Sequence, residues 1–240
     1  MTKRYDNETP ERHLMTDPDS IDPVEALLAA AYELDGPDAN RALYAQWAET
    51  YESGFVADSR YVYQDHVAQA FATHTHDSLT PHDVVIDVGC GTGLAGAALR
   101  QLLVVVIDGL DISTEMLHQA EGKRYDGQAV YRNLIEADLT QTLTIEDNAY
   151  AGALSVGTFT HGHVGPSALD EIIRIVRPGG HVAIGINAAH YTATNFGLFL
   201  DEQVATHRIT NLELIVAPIY DGADASDPDK IARIATFQIN

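Results

Sequence analysis

Val84-Val85-Ile86-Asp87-Val88-Gly89-Cys90-Gly91-Thr92-Gly93-Leu94-Ala95-Gly96 is the stretch from which the rest of the chain can be read. Its first five residues are apolar and mostly β-branched apart from Asp87, the mark of a buried strand. Glycines at three alternate positions, Gly89, Gly91 and Gly93, then make a turn too tight for side chains. From Leu94 to Leu103 the chain is rich in Ala and Leu and reads as a helix starting at that turn. Strand, glycine turn and helix N-terminus together present backbone N–H groups with no Cβ in the way, which points to a nucleotide-like ligand.

Gly91-Thr92-Gly93-Leu94-Ala95-Gly96 also satisfies the dinucleotide fingerprint G-x-G-x-x-G. Three acids favour a different ligand. Asp87 stands inside the strand end, where it would face pyrophosphate in a dinucleotide site; it suits an ammonium or sulfonium instead. Asp111 lies 20 residues beyond Gly91, after the apolar run Val104 to Ile107, where a carboxylate takes two ribose hydroxyls. Asp138 follows a further short apolar stretch, within reach of an adenine amino group.

The residues Asp87-Val88-Gly89-Cys90-Gly91-Thr92-Gly93, Gly109-Leu110-Asp111-Ile112-Ser113, Ala137-Asp138-Leu139 and Arg177-Pro178-Gly179-Gly180-His181-Val182 resemble the class I S-adenosylmethionine-dependent methyltransferases. The resemblance runs from Thr80 to Asn187. It implies an α/β, Rossmann-like seven-stranded fold, a mostly parallel sheet with an antiparallel C-terminal strand. It also implies S-adenosylmethionine as methyl donor and S-adenosylhomocysteine as product. In that frame Asp111 holds the ribose with Ile112 against the adenine, and Asp138 and the Leu139 N–H meet the adenine edge. Asp87 reaches the methionyl ammonium directly or through water. Gly89, Cys90, Gly91, Gly93, Leu94, Met116 and Ser155 complete the expected cofactor contacts, with Tyr44 added from upstream. Tyr44-Ala45-Gln46-Trp47-Ala48-Glu49-Thr50-Tyr51 and Gly157-Thr158-Phe159-Thr160-His161-Gly162-His163-Val164 are similar to the Williams-Beuren-region methyltransferase-like proteins, a subgroup with no single substrate.

The 240 residues suffice for one α/β domain with a full core. No stretch approaches the ~20 apolar residues of a membrane span. Met1 to Ser20 is charged and lacks the apolar segment of a signal peptide. A single cysteine excludes an intramolecular disulfide, and a cytoplasmic location is the default. With 35 acids against 14 Lys plus Arg, a formal charge of −21, the surface repels nucleic acid and anionic membranes. The expected partner is a small-molecule substrate, and a homodimer stays open. Only Lys3, Lys123 and Lys230 are lysines, a pattern consistent with a salty habitat as well as with an ordinary acidic enzyme.

Along the chain, residues 1–22 read as a loose tail and residues 23–64 as a helical extension covering the cofactor cleft, with the methyltransferase domain over 65–240. Val24 to Leu34 and Asp38 to Tyr51 are the two expected helices of the extension. Tyr44, Trp47 and Tyr51 share one face of the second. A helix over Asp65 to His74 precedes the first strand. Further strands are expected at Val104 to Leu110, Asn133 to Glu136, Tyr150 to Val156 and His181 to Ile186. Helices are expected after Ser113, over Ala168 to Val176 and over Asn195 to His207. Leu212 to Tyr220 and Ile231 to Ile239 form an antiparallel pair at the sheet edge.

The acceptor side falls in Ser155 to His163, at the carboxyl end of the fourth strand. No Asn-Pro-Pro-Tyr signature occurs there, which argues against a nucleobase amino group as acceptor. His161 and His163 are candidate general bases for a hydroxyl, thiol or ammonium, and Tyr51 is a third candidate catalytic residue. His161-x-His163 also has the spacing of two metal ligands, but only His190 is conceivable as a third, and no metal is assigned. Methyl transfer to O, N or S of a small molecule is the expected activity. Methylation of a protein side chain, a cofactor-binding regulator without turnover, and an NAD(P)-dependent oxidoreductase are the alternatives.

Overall fold

Strand β1 (Val84–Val88) lies at the centre of the sheet and is buried at four of its five positions, as a strand covered on both faces must be. The computed structural model describes residues 36–56 and 59–240. The expected tail over 1–22 and the helix Val24 to Leu34 lie outside the described residues. β1 pairs in parallel with β2 (Val106–Asp111) on one side and β4 (Tyr150–Phe159) on the other. With β3 (Leu134–Glu136), β5 (Val176–Asn187), β6 (Ile209–Pro218) and β7 (Ile231–Ile239), the sheet order is β3-β2-β1-β4-β5-β7-β6. β7 runs antiparallel to both neighbours, and every other pairing is parallel. Strand order reverses between β1 and β4, which opens a crevice at the carboxyl ends of the strands.

Alternation along β1 sends Val85 to one face and Ile86 and Val88 to the other. Helices α2 (Tyr63–Thr75) and α3 (Leu94–Leu102) cover the first face, packing Val67, Phe71 and Leu99 on Val85, Ile107 and Leu154. Helices α5 (Leu169–Ile175) and α7 (Phe196–Ala205) cover the second, with Leu169, Ile172 and Phe196 over Ile86, Ile184 and Phe237. Helix α4 (Thr114–Glu121) starts at Ser113, whose Oγ accepts the Met116 N–H at 3.2 Å. Helix α1 (Pro37–Trp47) packs against α4 above the crevice, and the short α6 (Ala188–Ala193) follows β5. Among the described residues no helix is long and apolar enough to cross a membrane.

Several boundaries differ from expectation for local reasons. α1 stops at Trp47, and Tyr51 precedes a π-helical turn over Glu52–Val56. α2 begins at Tyr63, so the boundary expected after residue 64 falls inside a helix. β2 begins at Val106, leaving Val104 76% exposed. β4 continues past Val156 because Gly157, at φ +76°, absorbs a register shift between Ser155 and Phe159. The turn expected at Pro178-Gly179-Gly180 is an excursion within β5, which starts at Val176. Asp126 and Gly127, both at positive φ, close a small hairpin between Arg124–Tyr125 and Gln128–Ala129.

Asp87 is wholly buried behind the glycine turn. Its Oδ2 accepts the Tyr131 hydroxyl at 2.7 Å, while Oδ1 is buried without a hydrogen-bond partner. Tyr131 reaches it because Gly96 carries no side chain; a Cβ there would run into the phenol. The third glycine of the apparent dinucleotide fingerprint therefore makes room for a tyrosine. Burial pushes the Asp87 carboxyl from its ordinary 3.8 up to about 7, against the weaker pull of the Tyr131 hydroxyl.

Three substitutions test this packing. Phe159 is fully buried, edge-on to Phe196 at 5.7 Å, and Phe159→Ala should lower unfolding free energy by about 3–5 kcal/mol in urea titrations. Val104→Ala should stay within about 0.5 kcal/mol of the parent. Because the folded pKa of Asp87 is raised, the native state binds more protons than the unfolded chain between the ordinary value of 3.8 and about 7. Its contribution is present below that window and lost as pH climbs through it. The stability of Asp87→Asn should gain on that of the parent between about pH 4 and about pH 7, and parallel curves would contradict the assignment.

Candidate active site

The crevice begins at the turn between β1 and α3. Gly89, Gly91 and Gly93 all have positive φ, at +69°, +53° and +96°. At Gly89 a side chain is excluded twice, since a Cβ would also collide with Thr158 Oγ1, itself bonded to the Val88 carbonyl at 3.1 Å. The Gly89 and Cys90 N–H groups both donate to Leu110 O, at 2.7 and 2.9 Å, which ties the turn to the end of β2.

Asp111 ends β2 and faces the same turn. Its Oδ2 accepts the Gly91 N–H at 2.8 Å and its Oδ1 the Ser113 N–H at 2.9 Å, so the carboxylate is fixed in orientation. Each oxygen keeps a further lone pair for a ligand hydroxyl. Burial raises its pKa, opposed by the Ser113, Gly91 and Ile112 N–H groups. Across the turn, Thr92 Oγ1 is buried with no partner.

The resulting cleft, about 1040 Å³ including the space at its mouth, gathers most of the expected site. Gly89, Cys90, Gly91 and Leu94 line it from the turn, and Asp111, Ile112 and Met116 from β2 and α4. Asp138 and Leu139 line it after β3, where Asp138 Oδ1 accepts the Thr140 N–H and hydroxyl at 2.8 and 2.7 Å. Tyr44, Tyr51 and His163 line the opposite side.

Four expected residues lie elsewhere. Asp87 is behind the turn on Tyr131, not on the cleft wall. Gly93 faces the Tyr131 ring. Ser155 is fully buried and donates to Val88 O at 2.7 Å, bracing β4 against β1. His161 turns outward, its Nε2 3.3 Å from Asp229 Oδ1 and its ring 5.7 Å from that of His190. His161 and His163 thus face different partners, and among the described residues no group of three His, Cys, Asp or Glu side chains could hold a metal.

His163 is the histidine on the side of the cleft opposite the glycine turn. Its Nδ1 lies 2.7 Å from His161 O, and a carbonyl only accepts, so Nδ1 carries the proton. Nε2 is then an acceptor, and the Tyr44 hydroxyl donates to it at 2.9 Å. Burial lowers the His163 pKa, against the opposing bond to His161 O, and the ring is neutral at pH 7.

Tyr44 belongs to α1, which roofs the cleft. Asn40 Nδ2 donates to Gly162 O at 2.9 Å on one side, and Arg41 Nε to Ile112 O at 3.4 Å on the other. Trp47, 2% exposed, stacks on Tyr44 and meets Tyr51 edge-on. A Glu52–Lys123 ion pair holds the turn that follows. Asn40, Tyr61 and Gln64 also line the cleft and were not anticipated, since no local motif marks them.

Residues 86–184 match the methyltransferase domain family. The chain is 31% identical over 172 residues to human Methyltransferase-like protein 27, a Williams-Beuren-region protein, covering 69% of this chain and 64% of that one. It is 31% identical over 109 residues to an O-methyltransferase of Pyrenophora dematioidea, covering 44% of this chain and 39% of that one. The chain thus spans less than two thirds of the length of either relative. Magnesium protoporphyrin IX methyltransferase from Synechocystis, solved with bound S-adenosylhomocysteine, shares the fold with a TM-score of 0.61 at 14% identity, over 85% of this chain and 99% of that one. Glycine turn, paired acids, strand order and family match agree: over residues 86–184 the chain matches a methyltransferase domain, and its sheet has the fold of the class I S-adenosylmethionine-dependent methyltransferases.

Proposed function

We propose that the protein binds S-adenosylmethionine in this cleft and transfers its methyl group to an oxygen, nitrogen or sulfur of a small molecule. The observation that carries the reading is Asp111, held by the Gly91 and Ser113 N–H groups beside a turn of three positive-φ glycines at the point where strand order reverses. The residues present fit such a ligand: Asp111 offers lone pairs to two ribose hydroxyls, Ile112 and Met116 an apolar wall for adenine, and Asp138 an acceptor for its amino group. Thr92 Oγ1, buried and unpartnered on the same wall, offers a hydroxyl to the methionyl end. When bound, the cofactor supplies an electrophilic methyl on a sulfonium. The O-methyltransferase relative supports a small-molecule acceptor.

Asp87 then acts through Tyr131 as a brace of the turn, and Tyr44 serves the acceptor side. His163 takes the acceptor's proton as its nucleophilic atom forms the new bond to carbon. With Tyr44 donating to Nε2, the proton passes from acceptor to Tyr44 Oη while the Tyr44 proton moves to Nε2. Neutral His163 with a depressed pKa is ready for this at pH 7. A cytoplasmic location belongs to the same reading.

Transfer of labelled methyl from S-adenosylmethionine to an acceptor panel tests it. Asp111→Ala should weaken S-adenosylhomocysteine binding on the order of 100-fold, since hydrogen bonds to a charged group are lost. His163→Ala should lower kcat by about 10²-fold or more with S-adenosylhomocysteine affinity retained, and Tyr44→Phe should act in the same direction. The parental rate should fall only below the ordinary histidine range. Full turnover in both variants would remove the proton relay; cofactor binding without methylation of any acceptor would favour a regulator.

A further inference from the structure

Among the described residues, the acceptor half of the cleft carries no fixed positive charge. Among the described residues that line the cleft there is no Lys or Arg; the charged groups are Asp111 and Asp138, and His163 is neutral. The acceptor half offers hydrogen-bond acceptors instead. Asn40 Nδ2 is committed to Gly36 O at 3.0 Å and Gly162 O at 2.9 Å, which fixes the amide and leaves Oδ1 buried without a partner. Gln64 Nε2 is committed to Tyr61 O at 3.4 Å and Asp65 Oδ2 at 3.2 Å, and its Oε1 is likewise buried and unpartnered. Both residues line the cleft, one from α1 and one from the first turn of α2, with the flat walls of Tyr44, Tyr51 and Tyr61 between.

A buried carbonyl oxygen without a donor is costly, so a ligand bringing hydroxyl groups gains at both amides. An anionic ligand would meet amide oxygens with no Lys or Arg among the described lining residues to offset its desolvation. We infer that the acceptor is an uncharged aromatic hydroxyl compound, and that Asn40 and Gln64 select it against carboxylated analogues. The inference rests on the methyl-transfer reading and narrows its acceptor to a phenolic oxygen. The phenol loses its proton to the Tyr44–His163 pair and its oxygen takes the methyl, leaving S-adenosylhomocysteine and protonated His163.

Calorimetric titration of protein saturated with S-adenosylhomocysteine tests it, with catechol and 3,4-dihydroxybenzoate as probes. Catechol should bind at least about tenfold more tightly than the benzoate, because the second carries an unpaired charge. Gln64→Arg, which adds a cation, should shift that ratio about tenfold toward the benzoate, and Gln64→Met should weaken catechol several-fold. Equal affinity for the benzoate, no binding of catechol, or unchanged catechol affinity in Gln64→Met with S-adenosylhomocysteine affinity retained would overturn the inference. Failure of S-adenosylhomocysteine itself to bind the parent protein would overturn the reading beneath it.

Discussion

The carboxylate of Asp111 joins two segments that are 22 residues apart, accepting the Gly91 N–H of the glycine turn and the Ser113 N–H that leads into α4. Two backbone donors to one ionised group are stronger than neutral pairs, and they orient the group as well as stabilise it. The turn is thereby registered against the end of β2, a tie repeated by the Gly89 and Cys90 N–H groups on Leu110 O. Ser113 in turn caps α4, which puts Met116 on the cleft wall. Removal of this carboxylate would loosen the turn and the helix start together with whatever ligand they hold.

The two halves of the cleft are built from different materials. The donor half rests on strand ends and a glycine turn backed by the sheet, positions set by parallel pairing on both sides of β1. The acceptor half is assembled from α1, the start of α2 and the segment after β4, and is closed by single hydrogen bonds from Asn40 and Tyr44. Rigid sheet ends suit a ligand that is the same in every turnover. On the proposed reading, a roof of one helix suits the part that admits and releases the acceptor.

That division also explains how much could be read from residues alone. β1 and β7 fall where the apolar runs place them, and the acids at the end of β2 and after β3 line the cleft, because strand, turn and acid are contiguous in the chain. The role of Asp87 was not legible, since its partner Tyr131 is 44 residues away and carries no motif. The Tyr44–His163 pair spans 119 residues and Asn40–Gly162 spans 122, so only the folded chain reveals them. His161 and His163 look equivalent in sequence, yet a two-residue step in a turning segment aims one at Asp229 and the other into the cleft. The Asp126-Gly127 hairpin carries a local signal, since the pair is a favoured turn sequence between short strands.

The central claim is that the glycine turn and its acids hold a sulfonium nucleoside and not a dinucleotide. Parallel calorimetric titration of the purified protein with S-adenosylmethionine, S-adenosylhomocysteine and NADH tests it most directly. The account predicts micromolar binding of the first two and no heat from the third. Binding of NADH alone would contradict it and return Gly91 to Gly96 to the dinucleotide class.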